Sequence, residues 1–388
     1  MKFVCNQSDL TKALSTVSRA VTSRTTIPIL KGILINAENE DFISLTASDL
    51  DISIETRINA SVSERGSIVL PSKLFGDAVR KLPQGNVSFQ ENENGNVDIK
   101  CLKTNFKIMG IPADEFPKIY GNMDGERISL EKKTLREMIR KTCFAAGTDE
   151  TRGIITGVLM ELKKGMIHMV ALDGFRMAVV REKTKNEDEK SIIIPAGIMS
   201  EVGRIMSDAE ESKPAAPSGE KEGEEIAEKE DFFEILTDGK KAVFDLKNTV
   251  VVSRLLEGSF VKYEDILPKE FKTSLLLNKN EIKDSVERAS VLIREGKNNF
   301  IKIEILDGRM VLTSRNEEGS FRDEIATDQK GDDLEIGFNA KFIADALKAV
   351  SDEEIRMEFN TSVTPCLIRP TEGNAYEYLV LPVRLASG

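Results

Sequence analysis

A threefold repeat is the sequence feature that most constrains how this chain can fold. Segments 71–82, 195–206 and 339–350 each read as a short helix that opens with Pro or Asn after an apolar, strand-like run. Each keeps apolar residues at i, i+1, i+4 and i+8, the spacing of one buried helix face. The matching positions are Leu74, Phe75, Ala78 and Leu82, then Ile198, Met199, Val202 and Met206, then Phe342, Ile343, Ala346 and Val350.

A second helix repeats with nearly the same spacing. Its apolar positions are Leu10, Leu14 and Val17, then Leu135, Ile139 and Thr142, then Ile282, Val286 and Ala289. Alternating apolar and polar runs with turn residues follow each helix, as in antiparallel sheets. Because the period of about 120 residues far exceeds that of solenoid repeats, the pattern predicts three related α+β domains. We predict domain 1 at 1–124, domain 2 at 125–271 and domain 3 at 272–388, each with two helices and antiparallel sheets.

The negative charge of the chain is distributed unevenly. A net charge of −11 argues at first against a nucleic-acid partner. However, the Pro-, Gly- and Glu-rich segment at about 207–230 holds nine acids and three lysines, which is more than half of the excess. This composition predicts a disordered surface insertion in domain 2, and it indicates no role for the insertion.

The six predicted helices, taken together with their flanks, carry more basic than acidic residues. The basic residues with a predicted exposed position are Lys73, Arg80, Lys81, Lys132, Lys133, Arg136, Arg140 and Lys141. On any single helix, such residues are equally typical of an ordinary solvated face. Their recurrence in an acidic chain favours a shared basic surface for phosphates.

Candidate catalytic residues are few and isolated. The stretch "ALDGFRMAV" at 171–179 pairs a carboxylate with an arginine across a glycine turn, as catalytic loops often do. No phosphate-binding loop, nucleophile elbow or zinc-binding helix accompanies it. His168, the only histidine, lies in an apolar strand pattern and is interpreted as structural. Asp49 and Asp51 would point to one side of a strand, which leaves a metal site open as an alternative.

The sequence also bears on where the chain works. Its start turns polar within a few residues, unlike a signal peptide, and no apolar run approaches the roughly 20 residues that span a bilayer. The four cysteines are far apart and form no C-x-x-C pair. We therefore predict a cytoplasmic protein without disulfides, cofactor or bound metal.

Three segments carry a resemblance to a known family. "TIPILKGILI" at 26–35, "LDGFRMAV" at 172–179 and "YLVLPVRL" at 378–385, together with the threefold plan, resemble the bacterial DNA polymerase III beta subunit, or sliding clamp. The resemblance covers the whole chain apart from the acidic insertion. It implies a ring formed by a head-to-tail homodimer of three-domain subunits, with helices lining the hole. It also implies an accessory protein rather than an enzyme.

The resemblance implies a peptide-binding groove on domain 2 beside the C-terminal tail. Short peptides containing Gln and Leu or Phe, from the polymerase alpha subunit, clamp-loader subunits, other polymerases and repair proteins, dock there in the family. Apolar anchors with one or two rim arginines suit such docking. The positions carried over are Ile155, Leu172, Gly174, Phe175, Arg176, Met177, Val261, Ile266, Pro365, Leu379, Leu381, Pro382, Val383 and Arg384.

The resemblance also suggests residues for DNA and for the dimer. Arg24, Lys73 and Arg152 match positions that face DNA, and with the helix cations they give the set Arg24, Lys73, Arg80, Lys81, Lys133, Arg136, Arg140, Lys141 and Arg152. Phe106 would meet Val291 and Leu292 of the second subunit. The chain departs from the family at Val261 and Asp265, where Pro and Arg are frequent. It also has Gly153 and Ile154 where some members carry a Tyr pair.

The resulting prediction is a processivity clamp that encircles duplex DNA without sequence preference and tethers the replicative polymerase. Two alternatives stay open at this level. One is a metal-dependent nucleic-acid enzyme that uses Asp49 and Asp51. The other is a three-domain interaction scaffold with no role on DNA.

Overall fold

The computed structural model of the 388-residue chain describes a large part of the sequence. The described residues are 1–22, 25–118, 125–211, 232–293 and 300–385. Arg24 and residues 212–230 of the acidic segment lie outside them, and with the latter most of the predicted disordered insertion. No helix in the described ranges combines the length and the apolar character that a membrane-spanning helix needs.

In its described residues, the first repeat contains two α-helices and nine strands, besides short 3-10 turns. In chain order they are β1 (Lys2–Asn6), α1 (Gln7–Val17), β2 (Gly32–Asn36), β3 (Phe42–Ser48), β4 (Ile52–Glu64), β5 (Ser67–Pro71), α2 (Ser72–Lys81), β6 (Asn86–Glu91), β7 (Asn96–Cys101), β8 (Thr104–Met109) and β9 (Ile111–Pro112).

The second and third repeats follow the same order of helix, strands, helix and strands. The second comprises β10 (Glu126–Glu131), α3 (Lys132–Thr142), β11 (Gly157–Lys163), β12 (Met166–Leu172), β13 (Arg176–Lys183), β14 (Lys190–Pro195), α4 (Ala196–Glu211), β15 (Phe232–Thr237), β16 (Lys241–Asp245) and β17 (Thr249–Arg254). The third comprises β18 (Thr273–Asn278), α5 (Lys279–Ile293), β19 (Phe300–Leu306), β20 (Arg309–Arg315), β21 (Ser320–Ala326), β22 (Asp328–Gly331), β23 (Leu334–Asn339), α6 (Ala340–Ala349), β24 (Glu354–Phe359), β25 (Cys366–Pro370) and β26 (Tyr376–Val380).

Asparagine side chains fix the starts of three helices. Asn6 caps α1 by accepting a hydrogen bond from Ser8 N at 2.9 Å, and Asn339 caps α6 by accepting one from Lys341 N at 3.0 Å. Asn278 accepts from Asn280 N at 2.9 Å at the start of α5. Each side chain satisfies a backbone donor that has no partner within the helix, so the sequence itself sets these boundaries.

The predicted apolar faces are largely confirmed. All nine matching positions of the first helix in each repeat are buried, including the polar Thr142. Two positions are not buried as predicted: Phe342 on α6 is half-buried, and Leu74 on α2 is 54% exposed, because the buried stripe of α2 runs through Phe75, Ala78, Val79 and Leu82. Those four follow the i, i+3, i+4, i+7 spacing that keeps side chains on one face.

The strands cross the boundaries between repeats. A thirteen-stranded antiparallel sheet joins the first repeat to part of the second through the pairing of β4 with β17. A nine-stranded sheet joins the second repeat to the third through β13 and β26, and a four-stranded sheet holds β19–β21 and β23. The chain therefore forms two compact units, one of 1–132 and 204–255, the other of 133–203 and 256–388.

Candidate functional site

The turn between β12 and β13 is built by Asp173 and Gly174. The Asp173 carboxylate accepts hydrogen bonds from the backbone N–H groups of Phe175, at 2.8 Å, and Arg176, at 3.0 Å. Gly174 has a φ of +90°, which residues with a Cβ rarely adopt. The turn leaves Phe175 58% exposed. Since the Asp173 carboxylate accepts hydrogen bonds from the backbone of its own turn, the Asp–Gly–Phe–Arg stretch forms a hairpin turn rather than an acid–base pair.

Arg176 is held inside the fold by three acceptors. Its guanidinium donates to Asp173 Oδ2 at 3.0 Å, to Asp345 Oδ2 at 2.6 Å and to the Phe144 carbonyl at 2.7 Å. The same group lies 4.6 Å from the ring centre of Phe342. Its side chain is only 10% exposed. The resemblance implied an arginine at the groove rim, but the contacts of Arg176 are those of a residue that positions the turn.

A buried apolar cluster lies beside this turn. It gathers side chains from β11–β14, from the loop after β17 and from β25 and β26, namely Leu159, Val170, Leu172, Met177, Val179, Ile193, Tyr263, Leu367 and Leu379. Partly buried residues pack against it: Ile154, Ile155, Leu256, Phe260, Leu267 and Phe271. We call these two sets the groove floor.

Four apolar side chains remain exposed at the edge of the groove floor. They are Phe175, Val261, Ile266 and Leu381, each within two residues of a floor residue. Exposed apolar residues that cluster over a buried apolar surface mark interaction sites more often than isolated ones do. The arrangement can bind apolar side chains of an extended peptide.

The tail after β26 is pinned on both sides. Leu381 N donates to the Phe175 carbonyl at 2.9 Å, and Val383 N donates to the Gly337 carbonyl at 2.9 Å. The tail packs closely on β23 here, since a Cβ on Gly337 would lie 2.7 Å from a terminal methyl of Leu385. The tail is therefore a fixed wall of the site.

The structure brings the residues predicted for the groove together in one compact unit. Leu172, Met177 and Leu379 are buried in its floor, and Ile155 packs against them. Pro365, Pro382 and Val383 are half-buried, and Arg384 is exposed. Sequence reasoning missed several floor residues, namely Leu256, Phe260, Leu267 and Leu367. The apolar content of the loop "LLEGSFVKYEDILP" at 255–268 was the available signal.

Arg152, predicted to face DNA, lies at the groove turn. Its Nη1 donates to the Asp173 carbonyl at 2.6 Å. A Cβ on Gly174 would come within 2.9 Å of its Nη2. Gly153 and Ile154 follow, and Ile154 packs on the groove floor. The hydrogen bond of Arg152 within the fold is thus to the turn between β12 and β13.

The basic residues of α2 and α3 occupy different compact units. On α2, Lys73, Arg80 and Lys81 are exposed, and Arg80 pairs with Asp77 at 2.5 Å. On α3, Lys133 and Arg140 are exposed, whereas Arg136 and Lys141 are half-buried. A hydrogen bond from Arg140, together with the charges of Arg140, Lys141 and Arg136, lowers the pKa of Glu137. This face of α3 is therefore electropositive.

Arg140 also has a structural contact. Besides Glu137, its guanidinium donates to Ser351 Oγ at 3.0 Å, just after α6. A substitution there would change more than surface charge.

The residues predicted for a dimer lie on exposed elements. Phe106 is half-buried on β8, the last strand of the thirteen-stranded sheet, and Leu102 and Met109 nearby are largely exposed. On α5, Val291 is 65% exposed and Leu292 is half-buried. An edge strand with exposed apolar side chains is suited to pairing with another chain.

The prediction that Asp49 and Asp51 point to one side of a strand is wrong. They lie in the turn between β3 and β4, where Leu50 has a φ of +80°. The Asp49 carboxylate accepts from the backbone N–H groups of Asp51 and Ile52, at 3.0 and 2.8 Å. Asp51 faces Arg254 at 3.4 Å. Within the described residues, no cluster of three His, Cys, Asp or Glu side chains is arranged to hold a metal.

Comparisons with known proteins assign the chain and its fold to one family. Family models of the DNA polymerase III beta subunit match three ranges of the chain. The N-terminal domain matches residues 1–120, the central domain 129–262 and the C-terminal domain 264–384. The beta sliding clamp of Halalkalibacterium halodurans is 34% identical over 99% of this chain and 100% of its own length. The beta sliding clamp of Bacillus subtilis is 32% identical over 99% and 100%.

Solved structures agree with the sequence matches. The crystal structure of the DNA polymerase sliding clamp from Bacillus subtilis has a TM-score of 0.88 at 31% identity and covers 99% of both chains. The whole chain, rather than one domain, is therefore matched in sequence and in fold. The chain belongs to the DNA polymerase III beta-subunit family, the bacterial beta sliding clamps.

Proposed function

We propose that two copies of this chain close head to tail into a ring around duplex DNA, and that the groove tethers the replicative polymerase to the ring. The groove carries this proposal: four exposed apolar residues border a buried apolar floor, and hydrogen bonds fix both the β12–β13 turn and the tail. Clamp-loader subunits, other polymerases and repair proteins would use the same groove through short peptides. The chain would act as an accessory subunit in the cytoplasm, without catalysis or cofactor.

Binding of a short peptide tests the groove. A fluorescein-labelled synthetic peptide that carries Gln followed by Leu and Phe should bind with a Kd in the micromolar range, as expected for a few apolar anchors. Leu381→Asp should abolish binding, because it places a charge at the apolar edge. Leu74→Asp, at an exposed apolar position of α2, is the matched control and should bind normally. Equal binding by both variants would contradict the groove.

The DNA role is proposed for the basic helix faces. The residues are those predicted from the sequence: Arg24, Lys73, Arg80, Lys81, Lys133, Arg136, Arg140, Lys141 and Arg152. The exposed positions of Lys73, Lys81 and Lys133 support it most directly. Topological retention needs only weak phosphate contacts, since tight binding would hinder sliding. Arg140 and Arg152 are the weaker members, because both already have contacts within the fold.

The dimer contacts and the domain limits are part of the same proposal. Phe106 of one subunit would pack on Val291 and Leu292 of the other. The proposed domain limit at 124/125 falls between the first two family matches, whereas the limit at 271/272 falls within the third, which begins at residue 264. Neither the nucleic-acid enzyme nor the scaffold without DNA has an observation in its favour.

A further inference from the structure

The only histidine of the chain lies in a polar cluster that includes Tyr263 of the groove floor. His168 on β12 is directly opposite Glu161 of β11 on one side and Arg181 of β13 on the other. Its Nδ1 lies 2.8 Å from the Tyr263 hydroxyl, which donates to Glu161 Oε2 at 2.9 Å. A phenol has one proton, so Nδ1 of His168 carries the proton that the hydroxyl accepts.

Tyr263 connects this cluster to the groove. Its ring is buried in the groove floor, and its carbonyl accepts a hydrogen bond from Ile266 N at 3.1 Å. Val261 and Ile266, two of the exposed edge residues, flank it in the same loop. Tyr263 thus has its ring on the peptide side and its hydroxyl on the polar side.

A lysine completes the cluster. Lys163 Nζ lies 3.0 Å from Glu161 and 2.8 Å from Glu264, and it lies 5.6 Å from the centre of the Tyr263 ring. The hydrogen bond from Lys163 lowers the pKa of Glu264. We call the five residues that join β11 and β12 to the groove loop the clasp: Glu161, Lys163, His168, Tyr263 and Glu264.

The surroundings of His168 oppose its protonation. Burial has the largest effect, and the positive charges of Arg181 and Lys163 add to it, so that the pKa of His168 lies below its ordinary value. Glu161 and Glu264 act in the opposite direction but do not reverse the shift. Arg181 is itself paired with Glu377 at 2.7 Å. His168 is therefore neutral at pH 7.5, which places its one ring proton on Nδ1 in the hydrogen bond to Tyr263.

We propose that the clasp positions the groove loop at 255–268 for peptide binding. The proposal rests on the proposed function, since it concerns the same groove. Tyr263 and His168 are positioning residues that act through Val261 and Ile266, the exposed residues on either side of Tyr263.

Removal of one hydroxyl tests the positioning role. Tyr263→Phe keeps the ring in the groove floor and deletes the hydroxyl bonds to His168 and Glu161. We expect the Kd of the fluorescein-labelled peptide to rise about fivefold at pH 7.5, the effect of roughly one lost hydrogen bond. Tyr376→Phe deletes the buried hydroxyl bond to Asp352 and should leave the Kd unchanged. If Tyr263→Phe binds as tightly as the wild type, the positioning role is overturned.

Substitution of His168 tests its role as the donor to Tyr263. His168→Ala removes the Nδ1 donor and should raise the Kd of the fluorescein-labelled peptide about fivefold at pH 7.5, the effect of roughly one lost hydrogen bond. His168→Gln keeps a side-chain N–H donor and should restore most of the affinity. Equal Kd values for the wild type and His168→Ala overturn the positioning role of His168. No wild-type binding overturns the proposed function together with the clasp.

Discussion

Arg176 commits its whole guanidinium to neighbours within one compact unit. Asp173, Asp345 and the Phe144 carbonyl take its hydrogen bonds, and the Phe342 ring covers one face. The planar guanidinium holds five donors in a fixed fork that spans these separated acceptors, whereas the three donors of a lysine radiate from a single nitrogen. The residue that looks most like a catalytic or rim cation therefore keeps the shape of the turn.

Arg176→Lys should destabilise the protein despite conserving the charge. The substitution leaves two of three acceptors without their donors, and we expect the free energy of unfolding to fall by about 2 kcal/mol. Urea denaturation at neutral pH measures it. Arg322→Lys, in an exposed pair with Glu324, is the control and should change little. Equal stability of the two variants would contradict the stabilising role described for the three hydrogen bonds of Arg176.

His168 shows what a residue-by-residue sequence reading cannot supply. Its alternating, apolar strand was predicted correctly, and a structural role was a reasonable interpretation. Its partner Tyr263 is 95 residues away in the sequence. No spacing rule connects the two, because the loop reaches β12 only through the packing of the groove floor.

Among the elements, helices were the easiest to predict and loops the hardest. Helix starts follow from local asparagine caps and helix faces from a 3.6-residue period, so both are properties of nearby residues. The burial of Leu74 was predicted wrongly because α2 has more apolar residues than its one buried face can hold. The burial of the groove loop at 255–268 was missed for a different reason. The loop has no hydrophobic period, and its apolar residues are buried against strands that are distant in the sequence.

The hairpin turn β12–β13 yields a prediction for peptide binding. Phe175→Ala should raise the Kd of the labelled peptide about tenfold, because an exposed aromatic anchor is lost. The thermal midpoint should hardly change, since the side chain is 58% exposed. Leu74→Ala, which is 54% exposed on α2, is the matched control and should leave the Kd as in the wild type. Fluorescence anisotropy and thermal unfolding on the same samples separate the two effects.

The helices α2 and α3 yield a prediction for DNA. Lys73→Glu combined with Lys133→Glu should shorten retention on nicked circular DNA and reduce the slope of the salt dependence, by about one unit for each lost phosphate contact. Lys330→Glu, exposed on β22, gives the control for a charge reversal away from these helices. Retention times that are the same for all variants would make the basic helix faces incidental.

For the whole molecule, the repeats of the sequence and the compact units of the structure do not coincide. Three repeats become two units because β17 pairs with β4 and β26 pairs with β13. The sequence period identified the three domains, and the family matches confirm that there are three. It did not reveal the sheet pairing across their limits, because such pairing leaves no periodic trace.

Oligomeric state tests the ring. Light scattering of the wild type at micromolar concentration should give the mass of a dimer, and Phe106→Asp should halve it, because a carboxylate cannot be buried at an apolar contact without a partner. Val291→Asp, from the other side of the proposed contact, should have the same effect. Val363→Asp, at another exposed apolar position, should remain dimeric. A monomeric wild type would remove topological retention on DNA.

The pairing of β13 with β26 also means that one edge of β13 stays unpaired during much of the synthesis of the chain. Arg176 lies opposite Val380, so the ribosome adds about 200 residues after β13 before its partner strand exists. At translation rates of about 5–20 residues per second, the edge of β13 waits for roughly 10–40 s. During that interval the turn can form, but the tail wall is missing. A nascent chain therefore lacks the tail wall of the proposed groove until β26 has been synthesised, and the open edge of β13 is exposed to wrong pairing until then.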